Sequence, residues 1–442
     1  MSEKVEIIRK EMSTKRATMA VFSTLDDVAY LLNVRAMGDI DTCPVGIAYV
    51  TVTADEVNLY CDSAKVESKE VQEHFAAVPV NYRAYDQIVT DIQQHCEAGK
   101  DKRVWLDKTR ANYAISSVIG EKQLIDKQNA VTPMKACKNE AELRGMRRAH
   151  VVDGAAMAHF MAWLEDAIVV QKRKVSEVEI DEVLTGFRAQ QPGFVEVSFP
   201  TIAGVGSNGA IVHYKAEAGS ELLQYLDCEK PILIDSGGQY LYGTTDVTRT
   251  WHFGKQPSKE FCEAYTRVLK GNIAVDSQIF PENTPGFVLD VFARQHLWLN
   301  HQDYGHGTGH GVGAALNVHE GPMSISPRWG NQEVLKQGMV VSNEPGYYED
   351  NNFGVRIENL LEIQNAVGDS KGEKKYLKFE KLTLIPIQMN LIILELMSGQ
   401  ELDWLDAYHE LVRDKVMPLL EPGSAAAVWL EKSCQPIDRS AK

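Results

Sequence analysis

The sequence lacks the hallmarks of secreted, membrane-spanning and disulfide-stapled proteins. Its seven cysteines include no Cys-x-x-Cys pair, so we expect free thiols in a reducing compartment. The N-terminus, MSEKVEIIRKEMSTKR, is charged and has no apolar stretch typical of a secretory signal. No apolar run approaches the roughly 18 residues that a membrane-spanning helix needs. We therefore expect a cytoplasmic protein with no membrane partner.

Basic residues are also scarce relative to acidic ones. The chain has 46 Lys and Arg against 61 Asp and Glu, for a net charge of −15. Phosphate binding requires clustered basic surface, so this balance argues against a nucleic-acid partner. Hydrophobic residues make up 44% and charged residues 24%, as in ordinary globular proteins. A length of 442 residues indicates two or three domains.

The first part of the chain alternates between strand-like and helical patterns, which predicts a small α/β domain over residues 1–130. The predicted elements are a hairpin of strands at 45–53 and 57–61, helices at 65–75 and 86–96, and a strand at 103–107. Catalytic residue types do not group in this region. We therefore expect it to be an accessory domain.

A second pattern begins at Asn139, which precedes an acidic first turn and predicts the N-cap of a helix running to about residue 166. A further helix is predicted at 176–190, followed by strand-rich and glycine-rich sequence; together they give a catalytic domain over 131–378. The C-terminal extension, 379–442, is predicted to hold a strand at 382–387 and helices at 399–420 and 425–434. Its amphipathic helices, with Trp404 and Trp429, suggest docking on the core or on a second subunit.

Candidate catalytic and metal-binding side chains concentrate in three segments. In the first, Asp235 ends an apolar run and Asp246 follows eleven positions later, so a hairpin would return both carboxylates to one place. Taken alone, a turn aspartate and an edge-strand charge are the commoner interpretation. The surrounding threonines and Arg249 favour instead a carboxylate held as a metal ligand.

The second segment, DYGHGTGHGVGAALNVHEG, contains His306, His310 and His319. Glycines at alternate positions from 305 to 313 disfavour a helix, so we expect strand or irregular backbone with close access to something bound. Such loops also bind phosphate through backbone donors. No Gly-Lys-Ser/Thr sequence follows, which argues against a P-loop.

The third segment carries Glu344, just before a Pro-Gly turn, and Glu358, within an alternating strand at 355–360. Taken alone, Glu358 would be a solvent-facing residue paired with Arg356. Together with the two aspartates and one histidine, however, the set is rich in oxygen donors and suits two divalent ions such as manganese, cobalt or zinc. Such carboxylates repel one another by several kcal/mol per pair unless cations intervene, so a metal-free cluster should retain protons.

The phrases IDSGGQY, GTTDVTRT, HGTGHGVG, NEPGYY and RIENL, in this order, resemble the pita-bread metallopeptidases, which include methionine aminopeptidase, prolidase and aminopeptidase P. SFPTIAGVGSNGAIVHY, NVHEGP, LTLIPIQ and DWLDAYH are most similar to the Xaa-Pro aminopeptidase branch. The resemblance implies an α+β fold: a pita-bread catalytic domain, a smaller creatinase-N-terminal-like α/β domain before it and a short helical extension after it. Family members usually carry another α/β domain further upstream, which leaves substrate access and oligomeric arrangement open.

The resemblance also implies roles for individual residues. The implied metal ligands are Asp235, Asp246, His310, Glu344 and Glu358, with Asp246 and Glu358 bridging two ions. The implied catalytic residues are Glu344, as the proton acceptor, with His213, His319 and His306. The implied substrate-binding residues are His213, His319, Arg356 and Tyr348, with Tyr347 lining or bracing the pocket.

The implied activity is hydrolysis of the first peptide bond in peptides whose second residue is proline, by a water activated between two divalent ions. Manganese is the expected metal, with zinc or cobalt as alternatives, and a cytoplasmic homodimer is the expected form. Two alternatives remain open: a prolidase restricted to Xaa-Pro dipeptides, which uses the same ligands, and a catalytically inactive pita-bread protein that serves as a binding module.

Overall fold

The computed structural model describes residues 1–76, 78–366 and 374–439. The chain forms two compact units, Met1–Lys135 and Ala136–Lys442. Both contain helices and strands, which confirms the predicted α+β class. Within the described residues, no helix combines the length and the apolar character that a membrane span requires.

The first unit is built on a six-stranded sheet with strand order β4-β3-β2-β1-β5-β6. Its strands are β1 (Met19–Phe22), β2 (Tyr49–Thr53), β3 (Val57–Cys61), β4 (Asn81–Ala84), β5 (Val104–Leu106) and β6 (Leu124–Asp126). Its helices are α1 (Ser2–Lys15), α2 (Leu25–Leu32), α3 (Lys69–Ala76), α4 (Gln87–Glu97), α5 (Tyr113–Ser117) and α6 (Val131–Ala136). The predicted hairpin is confirmed, because β2 and β3 pair antiparallel with Val52 opposite Val57.

A buried charge cluster lies at the start of α2. The Nζ atom of Lys135 lies 2.8 Å from Oδ2 of Asp26, and both side chains are almost fully buried. Arg110 approaches Asp26 at 3.5 Å and Asp27 at 3.7 Å. The Nδ2 atom of Asn129 donates to Asp27 at 2.8 Å. Two carboxylates therefore share two cations supplied by the same unit, and together these residues form what we call the α2 cluster.

The second unit combines long helices with several antiparallel sheets. Its helices are α7 (Glu140–Glu165), α8 (Glu177–Ala189), α9 (Lys259–Asp276), α10 (Phe287–Trp298), α11 (Gly399–Val416) and α12 (Ala425–Ser433). Its first strands are β7 (Val175–Ser176), β8 (Phe194–Val197), β9 (Ile202–Val205), β10 (Tyr225–Leu226), β11 (Pro231–Ser236), β12 (Gly238–Tyr240), β13 (Gly243–Thr244) and β14 (Val247–His252). The remaining strands are β15 (Ile279–Pro281), β16 (Gly309–Gly311), β17 (Glu320–Ile325), β18 (Val340–Asn343), β19 (Gly346–Glu349), β20 (Phe353–Arg356), β21 (Asn359–Asn365) and β22 (Tyr376–Lys381).

Side-chain caps begin both of the predicted helices at the start of this unit. The Asn139 side chain accepts from the backbone N–H of Glu142, whose own side chain accepts from the N–H of Asn139, so that a capping box starts α7. Ser176 caps α8 by accepting from the N–H of Glu179. Each cap satisfies backbone N–H groups that have no partner within the helix, which explains why these two helix starts were readable from the sequence.

Two of the sheets bring the chemically interesting segments together. One sheet has the order β14-β11-β9, and the other has the order β15-β22-β21-β18-β16-β17. Strands β11 and β14 pair antiparallel, with Asp235 opposite Thr248. Strand β18 pairs with both β16 and β21. Asp235 thus lies in the first of these sheets, whereas His310, Glu344 and Glu358 lie in or next to strands β16, β18 and β21 of the second.

The predicted continuous strand over 355–360 is wrong, because Ile357 and Glu358 have no strand structure and separate β20 from β21. Strand β20 pairs with β19, whereas β21 pairs with β18. The N–H of Glu358 donates instead to the carbonyl of Thr248, at 3.1 Å. This interruption lets the chain pass from pairing with β19 to pairing with β18. Glu358 lies at the point where the pairing partner changes.

The predicted strand at 382–387 is also wrong. These residues are buried, but they have no regular secondary structure. Their backbone groups bond to side chains: Arg249 donates to the carbonyls of Ile385 and Pro386, and the N–H of Ile387 donates to Nε2 of His409. These side chains take the place of the strand-to-strand backbone hydrogen bonds that a buried apolar run normally forms. Pro386, in addition, has no N–H to donate to such a bond.

The C-terminal helices α11 and α12 pack on the core of this unit, one of the two surfaces that the sequence suggested. Trp429 is buried against Trp251, with ring centroids 6.1 Å apart. The Nε1 atom of Trp404 donates to Oδ1 of Asp276 at 2.7 Å. Residues 440–442 of the predicted extension lie outside the described residues. The homodimer contact of this extension stays a prediction.

Candidate metal centre

The five side chains expected to be metal ligands lie in or next to strands of the second unit and converge on one site. Asp235 lies near the end of β11, Asp246 just before β14, His310 in β16, Glu344 just after β18 and Glu358 between β20 and β21. Candidate ligand atoms lie within 4.8 Å of one another in three groups: His310 with Glu344 and Glu358, Asp235 with Asp246 and Glu358, and Asp246 with His310 and His319. Asp246, His310 and Glu358 each belong to two groups, so the three groups share members and form one cluster.

The orientation of His310 is set by its backbone surroundings. Its Nδ1 atom lies 3.0 Å from the carbonyl oxygen of Gly311, which can only accept, so Nδ1 carries the proton. Nε2 faces the carboxylates, 3.4 Å from both Asp246 and Glu344. A backbone carbonyl that fixes the tautomer in this way is the usual support for a metal-binding histidine.

Protons are held tightly by this cluster. Burial raises the pKa of Glu344 to about 7, despite the opposing charges of His310 and Arg356. Burial and the charge of Asp246 raise the pKa of Glu358 well above its usual range. Burial also raises the pKa of Asp246. Burial alone would lower the pKa of His310, but Asp246 and Glu344 raise it to about 9. Negative charge is therefore in excess here.

Two carboxylate oxygens of this cluster have no hydrogen-bond donor among the residues that the structure describes. They are Oδ1 of Asp235 and Oε1 of Glu358, and both are buried. A buried carboxylate oxygen without a donor is costly, and coordination to a cation removes that cost. Oxygen donors combined with one imidazole suit a hard or borderline divalent ion. The residues present therefore fit a pair of divalent metal ions.

A short hydrogen-bonded chain supports Asp235 from behind. Nη2 of Arg356 donates to Asp235 at 2.7 Å, and Nη1 donates to the hydroxyl of Tyr348 at 2.6 Å. The Tyr348 hydroxyl lies 2.7 Å from Nε2 of His306, whose Nδ1 lies 2.8 Å from the carbonyl oxygen of Gly307. Burial lowers the pKa of His306 to about 4, so its neutral ring donates to Gly307 and accepts from Tyr348.

This arrangement corrects two expectations about arginines. Glu358 is not a solvent-facing partner of Arg356, because it is buried and Arg356 pairs with Asp235. Arg249 does not surround Asp246, because its guanidinium bonds to Asn359 and Tyr408. Alternate residues of a strand face opposite sides, so Arg249 points away from the side that Thr248 and Thr250 share.

The cluster lies in a cleft of about 1000 Å³. His213, His306 and His319 line this cleft, together with Arg356. The ring of His319 stands nearly perpendicular to that of His310, with centroids 4.3 Å apart. Desolvation and the neighbouring His310 lower the pKa of His319 to about 4, so its ring is neutral near pH 7. The three histidines expected near the substrate thus surround the candidate ligands.

Neither tyrosine of the NEPGYY phrase is among the residues that line the cleft. Tyr348 is half-buried, and its hydroxyl accepts a hydrogen bond from Arg356, so it braces the site. Tyr347 packs towards Phe353, with ring centroids 6.3 Å apart, and against the main core. Successive residues of β19 point to opposite faces, which separates the two rings.

Two hydroxyl groups complete the support of the cluster. Thr248 donates to Oε2 of Glu358 at 2.8 Å and accepts from Nε of Arg356 at 3.0 Å. Its place in GTTDVTRT was a usable signal. Ser342 donates to Glu344 at 3.1 Å and accepts from the N–H of His310 at 2.9 Å. Sequence reasoning missed Ser342, because an isolated serine in an apolar strand carries no pattern.

Comparison with known protein families shows which class this site belongs to. The model described as metallopeptidase family M24 matches residues 144–365, which contain all five candidate ligands. A creatinase/prolidase N-terminal domain matches residues 1–142, and a C-terminal region of peptidase M24 matches residues 375–437. The chain therefore belongs to metallopeptidase family M24.

Individual relatives cover nearly the whole chain. Aminopeptidase P2 of Arabidopsis thaliana is 44% identical over 99% of this chain, and a probable Xaa-Pro aminopeptidase P of Laccaria bicolor is 43% identical over 98%. The chain spans 64% and 67% of the lengths of these two proteins. The X-prolyl aminopeptidase of Caenorhabditis elegans, described as a cytosolic enzyme with a di-nuclear active site, superposes with a TM-score of 0.93 at 36% identity. That match covers 99% of this chain and 71% of the other, and it confirms the predicted pita-bread fold.

Proposed function

We propose that this chain is a metal-dependent aminopeptidase that hydrolyses the bond between an N-terminal residue and a following proline. The observation that carries this proposal is the convergence of the five candidate ligands at one cleft. The raised pKa values of Asp246, Glu344 and Glu358 are consistent with acid that the chain itself does not neutralise. Support for the substrate class comes from the relatives, whose names specify aminopeptidase P, Xaa-Pro aminopeptidase P and X-prolyl aminopeptidase.

In this proposal two divalent ions, with manganese as the expected metal, are held by the candidate ligands. Asp235, Asp246, His310, Glu344 and Glu358 would hold these ions. The family resemblance implies that Asp246 and Glu358 would contact both. When bound, such ions lower the pKa of a coordinated water towards neutrality and polarise the scissile carbonyl. Asp235 receives additional support from Arg356, which restrains its carboxylate in one orientation.

The proton transfers are assigned to Glu344. It lines the cleft beside the other candidate ligands, where its carboxylate could accept a proton from an activated water and return it to the leaving group. In the proposed reaction Glu344 takes the proton of the attacking water and passes it to the leaving proline nitrogen. Ser342 restrains Glu344 by donating to its Oε1 atom.

His213 and His319 are assigned to the developing negative charge on the scissile carbonyl oxygen. Both line the cleft. The pKa of about 4 for His319 keeps it neutral, and a neutral imidazole still has one N–H to donate. Donors that are fixed before the reaction stabilise the transition state more than the ground state. His306 supports this arrangement through Tyr348 and lines the same cleft.

Apolar residues support the preference for proline. Phe199, Pro200, Ile202 and Val212 line the cleft that contains the candidate ligands. An apolar wall of this kind suits a pyrrolidine ring. The cleft volume of about 1000 Å³ lies at the upper end of the range for small-molecule sites, which favours peptides longer than a dipeptide over the prolidase alternative.

We further propose that the chain acts as a cytoplasmic homodimer. Its division into an accessory domain over 1–130, a catalytic domain over 131–378 and a C-terminal extension over 379–442 belongs to the same proposal. The expected residue roles are carried by the family resemblance and by the positions of the side chains around one cleft.

One assay tests the activity directly. The protein, loaded with manganese, is incubated with a tripeptide of the type Xaa-Pro-Pro and, separately, with an Xaa-Pro dipeptide. We expect release of the first residue from the tripeptide, loss of release with chelator and recovery when manganese is restored. Cleavage of the dipeptide alone would favour the prolidase alternative. Hydrolysis of neither substrate, with or without metal, would contradict the proposed activity.

A further inference from the structure

The segment 206–224, between β9 and β10, forms one wall of the cleft. Its residues Val212, His213, Tyr214 and Lys215 all line the cavity. Apart from a short 3-10 helix at Gly206–Ala210, the segment has no regular secondary structure. A connection of this length lacks a backbone ladder to hold it, so the position of His213 depends on other tethers.

The side chain of Glu177, the first residue of α8, provides such a tether. Glu177 has 0% exposure, and its two carboxylate oxygens accept hydrogen bonds from both ends and the middle of the segment. The donors are the N–H of Val205 at 2.8 Å, Nδ2 of Asn208 at 2.9 and 3.2 Å, the hydroxyl of Tyr214 at 2.8 Å and the N–H of Gln224 at 2.8 Å. One carboxylate therefore binds residues 205, 208, 214 and 224 and holds the two ends of the segment together.

A carboxylate is chemically required at this point. Glu177 forms no ion pair with any of the described residues, so its burial is offset by hydrogen bonds and by its place at the helix N-terminus. Each of its two oxygens faces N–H groups, which can only donate: Val205 and Asn208 at Oε1, and Asn208 and Gln224 at Oε2. Glutamine would turn an NH2 group towards one set of these donors, and aspartate is one methylene shorter. The proposed reaction does not use Glu177, which lies outside the candidate ligand groups.

The start of the same segment also presses against the strand that carries Arg356. Gly209 and Gly354 approach so closely that a Cβ atom on Gly354 would lie 1.7 Å from the carbonyl oxygen of Gly209. Gly354 belongs to β20, two residues before Arg356. The Gly209–Gly354 contact sets the distance of the segment from β20, and Glu177 then sets the path of the chain through Tyr214.

We infer that Glu177 is a positioning residue that holds His213 at the cleft by anchoring Tyr214 and the two ends of segment 206–224. This role rests on the proposed function, because His213 matters only if it contacts the substrate. It predicts that loss of the anchor impairs catalysis through His213 and leaves metal binding intact. Displacements on the order of 1 Å in a catalytic group cost up to about 100-fold in rate.

The test is a double-mutant cycle with purified, manganese-loaded protein and an Xaa-Pro-Pro tripeptide. The variants are Glu177→Gln, Tyr214→Phe, His213→Ala and the two doubles that combine His213→Ala with each of the others. We expect Glu177→Gln to lower kcat and kcat/KM by about tenfold or more, and Tyr214→Phe by less, with unchanged metal content. In the His213→Ala background both further losses should shrink to less than about twofold, because residues acting through one group are not additive.

A control variant separates positioning from general destabilisation. Glu401→Gln removes a partly buried partner of Lys270, whose Nζ lies 2.6 Å from Glu401, in α11 and outside the cleft. It should lower the melting temperature without changing kcat/KM. Tyr214→Phe covers the case in which Glu177→Gln fails to fold, because it removes a single hydroxyl.

With an active wild-type protein, two results would overturn this role of Glu177. Full additivity of either variant with His213→Ala would overturn the inference while leaving the proposed aminopeptidase activity intact. Loss of bound manganese in Glu177→Gln or Tyr214→Phe would also overturn it. Absence of turnover in the wild-type protein would contradict the proposed function itself. In that case hydrogen exchange of the backbone amides in residues 206–224 tests whether Glu177 anchors the segment. We expect faster exchange in Glu177→Gln than in the wild type, and unchanged exchange would refute the anchoring.

Discussion

The molecule buries two acidic clusters, and they are neutralised in different ways. In the α2 cluster, Asp26 and Asp27 meet Lys135 and Arg110, all within the first unit. Burial alone would raise the pKa of Asp26, but the Lys135 ammonium holds it below its usual range. Burial and the charge of Asp26 raise the pKa of Asp27. Two acids and two bases balance within this cluster.

The candidate metal centre has no such balance. Four carboxylates converge there, and among the described residues Arg356 is the arginine or lysine that forms an ion pair with them, through Asp235. The pKa values of Asp246, Glu344 and Glu358 are all raised. The contrast teaches that burial of acid alone does not indicate a metal. What indicates a metal is acid buried without enough cations from the chain to neutralise it.

The largest expected effect comes from removing a shared carboxylate. Asp246→Asn should lower metal content and reduce kcat/KM at least about a thousandfold, since bound metal supplies several kcal/mol of transition-state stabilisation. Metal analysis and steady-state kinetics measure both effects. The metal-free variant should also be more stable than the metal-free wild type, because charge repulsion is removed.

The matched change in the α2 cluster is Asp26→Asn, and it should have the opposite effect on stability. It removes the carboxylate that lies nearest to Lys135, so that Asp27 faces the two cations of the cluster alone, and it should destabilise the protein with metal content unchanged. Denaturant melts of both metal-free variants test this pair. If both changes shift stability in the same direction, the distinction between the two clusters is wrong.

The next effect concerns proton transfer. Glu344→Gln preserves side-chain shape but cannot accept a proton, so kcat should fall by roughly 10²–10⁴-fold while the fold is retained. Circular dichroism and turnover with the tripeptide measure the two outcomes. Near-normal turnover in a folded variant would remove Glu344 from the proposed role.

The next effect is a loss of stability, without loss of bound metal, when a cation of the α2 cluster is removed. Lys135→Met leaves Asp26 and Asp27 buried with Arg110 as the remaining cation, and breaking such pairs costs about 3–5 kcal/mol. The free energy of unfolding should fall by that amount, while manganese bound per chain stays constant. Loss of manganese in a folded variant would contradict the independence of the two clusters.

The smallest expected effect is a dependence of metal-free stability on pH. Glu344 has a pKa of about 7 in the fold against an ordinary value of 4.5, so the native state holds more protons than the unfolded state between these values. Stability of the metal-free protein should therefore fall as pH rises from about 4.5 to 7, by on the order of 3 kcal/mol. Urea melts with chelator test the direction, and Glu344→Gln should flatten the slope. Rising stability over this range would contradict the excess of negative charge.

Local sequence signals predicted the parts of the fold that local chemistry determines. Asn139 and Ser176 begin helices because their side chains cap them. The spacing of Asp235 and Asp246 predicted a shared location because a hairpin returns the chain. Glycines around His306 and His310 predicted non-helical backbone, and this is confirmed.

The remaining features depend on partners that are distant in the chain. The break at Glu358 arises from a change of partner strand, and the irregular backbone at 382–387 arises from side chains such as Arg249. Arg356 supports Asp235 from 121 positions further along the chain, a pairing that no local pattern indicates. Glu177 gave no signal, because its hydrogen-bond donors lie 28 to 47 positions further along the chain, from Val205 to Gln224.

The most direct measurement is a crystal structure of the protein soaked in manganese, with anomalous scattering used to locate the ions. We predict two manganese peaks per chain among Asp235, Asp246, His310, Glu344 and Glu358, with Asp246 and Glu358 contacting both. In Asp246→Asn crystals at least one peak should vanish. A wild-type structure without manganese at these residues, or with it bound elsewhere, would contradict the central claim.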